Sequence, residues 1–168
     1  IGTVAFFRTY KGITYFLDAA KLVAEQFPDV KFLIVGDGPD YDLIVRKRDT
    51  LGLQDSVQLT GFCDDVAQVL AGMDIFVLAS TGVEGVPQSV SQAMAMERSV
   101  IATNVGSVSE IVRHEETGLL VEPQDAEALA HEMCRLIINP GLRENLGKSA
   151  RKYVEESYSF VNMLKHTE

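Results

Sequence analysis

The sequence predicts a doubly wound α/β fold built on one parallel sheet, and two observations carry that expectation. Short apolar runs, β-branched and aromatic, alternate with longer amphipathic segments along the whole chain. Six such strand-to-helix alternations call for right-handed crossovers, which cover both faces of a parallel sheet with helices.

The elements follow in order. A first strand is expected over residues 3–7 and a helix over 13–27, ending at Pro28. A second strand, 31–35, meets the turn Gly36-Asp37-Gly38-Pro39, and a helix follows over 40–51. The third strand spans 57–59, with Gly61 and Phe62 in the next loop and a short helix over 65–71. The run 74–80 makes the fourth strand; after Glu84 and Gly85, apolar residues at Val86, Val90, Ala93 and Met94 recur with helical spacing. A fifth strand over 99–103, a short helix over 108–112, a sixth strand over 119–121 and helices over 126–138 and 142–157 complete the chain. Ligands of such sheets sit outside the carboxyl ends of the strands, so the loops after Phe7, Val35, Leu59, Ser80 and Thr103 are expected to converge.

Composition narrows the function. With 168 residues, 46% of them hydrophobic, the chain can bury one substantial core, and residues 1–168 read as a single domain. Its 15 Lys plus Arg face 24 Asp plus Glu, a net charge of -9 that argues against nucleic acid while permitting a local basic pocket. Cys63 and Cys134 form no disulfide framework and lack metal-ligand spacing with His114, His131 and His166, which suggests a reducing, cytoplasmic setting and no metal. No apolar run approaches the roughly 20 residues of a transmembrane helix, and no signal peptide precedes Ile1.

The segment from Glu84 to Ala95 carries most of the chemistry. Pro87 suits the first helical position, so the first free amides are those of Gln88, Ser89 and Val90, an anion site aligned with the helix dipole. A carboxylate beside that cradle suggests a ligand bearing both hydroxyls and phosphates. Gln88 and Gln92, four apart, share one helical face; Gln92 reads either as a sugar contact or as an exposed polar residue. Arg8 and Lys11 both face the cradle if the first loop lies beside the fourth, although a solvated basic turn is the simpler reading of these residues taken alone. Gly38 reads as part of a tight turn, with close approach of a ligand as the alternative. Phe62 either stacks on a base or covers the edge of the core. Ser107 and Glu110 have capping-box spacing, Asp125 is a cap, and the adjacent Asp64 and Asp65 open a helix.

Taken in order, Glu84-Gly-Val-Pro-Gln-Ser-Val-Ser-Gln-Ala-Met-Ala, Ser99-Val-Ile-Ala-Thr-Asn-Val-Gly-Ser-Val-Ser-Glu-Ile-Val and Glu116-Thr-Gly-Leu-Leu-Val-Glu-Pro-Gln-Asp resemble the donor-binding half of GT-B glycosyltransferases, of the family 4, group 1 type. The likeness runs from Arg8-Thr-Tyr-Lys-Gly to the terminal helices. It implies a Rossmann-like domain, the C-terminal half of a GT-B fold, with the N-terminal acceptor domain absent. The implied reaction moves a sugar from a nucleotide diphosphate sugar to an acceptor hydroxyl with retention, without a cofactor or required metal, in surface polysaccharide or lipopolysaccharide synthesis. By resemblance, Glu84 is the catalytic-site residue that touches the donor sugar, and Gln92 stands where the family has a ribose-binding glutamate. Gly85, Val86, Gln88, Ser89 and Val90 occupy the stretch whose backbone meets sugar and diphosphate, and Lys11 matches the diphosphate lysine. The family's usual arginine is replaced by Phe6, which makes Arg8 a shifted substitute. A half-domain of this kind would bind donor but not transfer sugar alone, and any peripheral membrane association would come through the absent domain. A sugar-nucleotide epimerase half and a non-catalytic nucleotide-sugar binding module are the alternatives.

Overall fold

The computed structural model describes residues 1–157. Six strands, β1 (Gly2–Val4), β2 (Phe32–Val35), β3 (Val57–Gly61), β4 (Ile75–Leu78), β5 (Ser99–Thr103) and β6 (Leu119–Val121), pair in parallel in the order β3-β2-β1-β4-β5-β6. Every residue of β4 and β5 is buried, which explains the wholly apolar β4 and the apolar centre of β5. The order reverses at β1, whose neighbours are β2 on one side and β4 on the other. At such a reversal the loops after the two adjacent strands diverge to opposite faces and leave a crevice.

The helices are α1 (Ile13–Gln26), α2 (Tyr41–Thr50), α3 (Val66–Ala71), α4 (Gln88–Ala95), α5 (Val108–Ile111), α6 (Ala126–Ile138) and α7 (Pro140–Ser157). One apolar cluster joins Phe16, Leu17 and Val23 of α1, Ile44 of α2 and Leu129, Met133 and Leu136 of α6 to one face of the sheet. A second joins Leu70 of α3, Val90 and Met94 of α4 and Val108 and Ile111 of α5 to the other. Helices α1 and α2 serve strands that step one way from β1, while α4 and α5 serve strands that step the other way; crossovers of a single hand must then use opposite faces. Helix α7 contributes Leu146 to the first cluster and Ala150 and Val154 to the second.

Several expected boundaries shift for identifiable reasons. The first strand stops at Val4, earlier than the expected 3–7. Ala5 and Phe7 still donate to Val35 and Asp37 at 3.0 and 2.8 Å, and fully buried Phe7 sustains the apolar signal past the ladder. Gly61 ends β3 and is not in the following loop: the register skips a residue there, pairing Val35 with Gly61. Residues 79 and 80 fall outside β4, and a 3₁₀ turn over Thr9–Lys11 precedes α1. Pro87, expected at the first helical position, is instead the cap of α4, which begins one residue later at Gln88. Ser107 sits at the cap of α5 without a side-chain capping bond, so the expected capping box does not form as written. The caps at Asp65 and Asp125 do form, accepting from Gln68 and Ala128 at 3.0 and 2.8 Å. His114 accepts from the Leu120 amide at 3.0 Å, and His166 lies outside the described residues. No helix among the described residues is long and apolar enough to cross a membrane.

Gly12 sets the approach of the first loop to the fourth strand. It is left-handed, with φ 65, and a Cβ there would fall 1.8 Å from the Ala79 carbonyl oxygen. Gly12→Ala is therefore expected to cost at least about 2 kcal/mol, read as a fall of about 4–8 °C in melting temperature. On the surface, Arg135 of α6 grips Glu115 with bonds of 2.5 and 3.0 Å, and this hydrogen bonding holds the Glu115 carboxyl below its ordinary 4.5. A carboxyl depressed in the folded state adds stability above its unfolded value and loses it as pH falls through the folded one. Arg135→Ala should accordingly cost under about 1 kcal/mol at neutral pH in urea unfolding, a gap that closes as the pH drops below 4.5.

Candidate functional site

A cleft of about 790 Å³ opens at the carboxyl ends of the strands, where the strand order reverses. Its polar wall comes from the loop after β1 (Lys11), the loop after β4 (Glu84) and the first turns of α4 (Gln88, Ser89, Gln92). Its apolar wall comes from Val4, Phe6, Val35, Phe62 and Val66. Phe6 and Phe62 are 55% and 74% exposed, a large apolar surface for a cleft wall. A cleft with one charged wall and one aromatic wall fits a ligand with an anionic, hydroxyl-rich end and a flat end. A second hollow, about 650 Å³, lies at the opposite end of the sheet beside Ile1, Lys31 and Met73, away from the strand ends that bind ligands in such folds.

The polar wall is organised around Glu84. Lys11 Nζ and Ser80 Oγ both donate to Glu84 Oε1, each at 2.6 Å. The Lys11 and Glu84 side chains are 18% and 10% exposed, so solvent screens the pair little, and each charge-assisted bond is worth about 1.5–3 kcal/mol. Oε2 has no partner among the described residues. The backbone of Glu84 is fixed as well: its carbonyl accepts from the Ser107 amide at 2.9 Å. Gly106, with φ 54, packs against it so closely that a Cβ would fall 2.1 Å from that same carbonyl oxygen. The first loop is tied to the fourth by the Tyr10 carbonyl, which accepts from the Thr81 amide at 2.7 Å.

The start of α4 supplies donors that have no acceptor among the described residues. Ser91 is the first residue to donate back along the helix, to Pro87 at 3.1 Å, and no side chain caps the turn. Pro87 has no N–H, so the amides of Gln88, Ser89 and Val90 are the ones left for a ligand. Pro87 therefore serves the same end from the cap that it was expected to serve one residue later.

Of the residues singled out from sequence, Lys11, Phe62, Glu84, Val86, Gln88, Ser89 and Gln92 line this cleft. Arg8, Gly38, Gly85 and Val90 do not. Arg8 is extended, so it shares a side of the chain with Phe6, and its guanidinium lies 5.4 Å from that ring; it borders a shallow hollow with Asp40 and Leu43. The two cations of the first loop thus do not face the cradle together. Gly38 is pressed against Phe7, where a Cβ would lie 2.5 Å from the carbonyl oxygen, so chain packing accounts for the glycine. Gly85 is exposed with open space around it, and the Val90 side chain is fully buried, leaving only its amide in play. Sequence reasoning passed over Phe6 and Tyr10 as lining residues, and Ser80, Thr103 and Gly106 as supports. The signal for Ser80 was its place as a hydroxyl at the end of an otherwise apolar run, four residues before Glu84.

Known proteins share this architecture. A solved structure of S. aureus TarM in complex with Fondaparinux, alpha-GlcNAc-glycerol and UDP matches with a TM-score of 0.92 and 27% identity, over 98% of this chain and 33% of that one. The C-terminal domain of a glycosyl transferase group 1 family protein (LpcC) from Francisella tularensis matches with a TM-score of 0.84 and 29% identity, over 95% of this chain and 86% of that one. N-acetyl-alpha-D-glucosaminyl L-malate synthase of Bacillus anthracis is 35% identical over 153 residues, which make up 90% of this chain and 39% of the relative. The chain spans about two fifths of the length of the curated relatives it matches. Residues 1–139 match the family described as Glycosyl transferases group 1. The sheet order, the cleft at its reversal and this match together place the chain in the group 1 glycosyltransferases, with the Rossmann-like architecture of a GT-B half.

Proposed function

We propose that this chain is the donor-binding domain of a retaining glycosyltransferase that moves a sugar from a nucleotide diphosphate sugar to an acceptor hydroxyl, in surface polysaccharide or lipopolysaccharide assembly. The observation that carries the reading is the joining, in one cleft, of three unpaired helix amides with the Lys11–Glu84 pair. The amides and Lys11 receive the diphosphate, whose charge grows as the glycosyl bond breaks; donors already in place stabilise that charge without reorganising. Cations and backbone dipoles do this work, so no metal and no further cofactor is invoked. Glu84 orients sugar hydroxyls: a carboxylate with one oxygen engaged by Lys11 and Ser80 and the other open to the cleft is a fixed acceptor. The aromatic wall, Phe62 above all, receives the base, and Gln92 replaces a charged ribose contact with a neutral amide. The curated relatives are longer than the matched span, which leaves room for a separate acceptor domain, and this domain by itself is expected to bind donor without transferring sugar.

Thermal unfolding with UDP, GDP, ADP and CMP tests the site directly. A nucleotide at about 100 times its dissociation constant stabilises by about 2.7 kcal/mol, a rise of roughly 5–10 °C; a flat response to all four would sink the reading. Lys11→Ala should weaken binding of the nucleoside diphosphate by roughly 10- to 100-fold in calorimetry, because it deletes a cation and leaves the Glu84 carboxylate unpaired beside the phosphates. Glu84→Gln should instead weaken the sugar nucleotide relative to the bare diphosphate; an unchanged ratio refutes the assignment of Glu84 to the sugar.

A further inference from the structure

We propose that Ser80 is the positioning residue of the donor site: its hydroxyl fixes the rotation of the Glu84 carboxylate, so that Oε2 is presented to a sugar hydroxyl. Ser80 is fully buried, yet its hydroxyl is spent on a carboxylate at the wall of a cleft, at 2.6 Å. Lys11 already neutralises the Glu84 charge, so the Ser80 bond is not needed for charge compensation. It serves orientation. Lys11 meets the same oxygen, but an ammonium on a four-carbon stem is a point charge that follows the carboxylate as it turns. Serine has a single carbon between backbone and hydroxyl, and here that backbone is itself pinned. Thr103 Oγ1, 3% exposed, donates to the Ser80 carbonyl at 2.6 Å, beyond the last ladder pair, Leu78 with Ala102. The chain Thr103, Ser80, Glu84 thus carries the rigidity of two fully buried strands to a single carboxylate oxygen. The proposal rests on the reading of Glu84 as the sugar contact.

The test compares dissociation constants for a nucleoside diphosphate and its sugar conjugate, using UDP with UDP-glucose, GDP with GDP-mannose and ADP with ADP-glucose as probes on the wild-type chain and its variants. Ser80→Ala should weaken the conjugate about tenfold while leaving the diphosphate within about twofold. On a Glu84→Ala background the same change should cost nothing more, because no side-chain acceptor is left at that position for Ser80 to orient. Ser80→Cys, which keeps the buried volume and a weak donor, should fall between wild type and alanine, and it carries the test if the alanine variant does not fold. Equal weakening of both probes, a ratio unchanged for every conjugate, or an undiminished cost on the Glu84→Ala background overturns the proposal alone. A wild-type chain that binds none of the six probes overturns the donor-site reading and this proposal with it.

Discussion

Two loops separated by 73 residues in sequence meet on one carboxylate oxygen, and the candidate site depends on that meeting. Lys11 arrives from the loop after β1 and Ser80 from the end of β4, parallel strands that neighbour each other where the strand order reverses. Close approach of the loops is bought by an absent side chain at Gly12, and close approach of the next loop along by another at Gly106. Remove either and Glu84 loses a constraint before any ligand contact is touched. The unpaired amides of α4 need the same frame, since their direction is set by where the chain turns after Glu84.

Much of this was legible in the residues. β5, β6 and α6 begin and end where the sequence puts them. The run 99–103 is apolar between two hydroxyls, and α6 is framed by the Asp125 cap and by Asn139-Pro140. The order of motifs gave the family, and helical spacing after Glu84 gave the amide cradle. Boundaries failed where burial and strand pairing part company. Phe7 is as buried as any strand residue while lying in a loop, so hydrophobicity alone extends β1 too far. Side-chain direction was also out of reach: spacing puts Arg8 and Lys11 in one loop, but only the backbone conformation of Arg8 decides that it stacks on Phe6. The supports were hidden for a related reason. Ser80 and Thr103 lie 23 residues apart, and only strand adjacency makes one a partner of the other.

The substitutions that distinguish this cleft act in one direction. By the family resemblance, Phe6 stands where a cation is expected and Gln92 where an acid is expected. Both exchanges remove charge from the walls and leave Lys11 as the lining cation. An aromatic ring backed by the Arg8 guanidinium still offers a flat, polarised surface, which suits stacking better than ion pairing.

Helix α7 has a further consequence, one concerned with the order in which the molecule is made. Its Leu146 completes the cluster on one side of the sheet, and its Ala150 and Val154 complete the cluster on the other. During vectorial synthesis the six strands and six earlier helices leave the ribosome first, with both layers still open at the place where α7 belongs. Neither layer can seal until residues 140–157 emerge. The last described helix is thus the clasp of the domain, and the nascent chain exposes apolar surface on both sides until it closes.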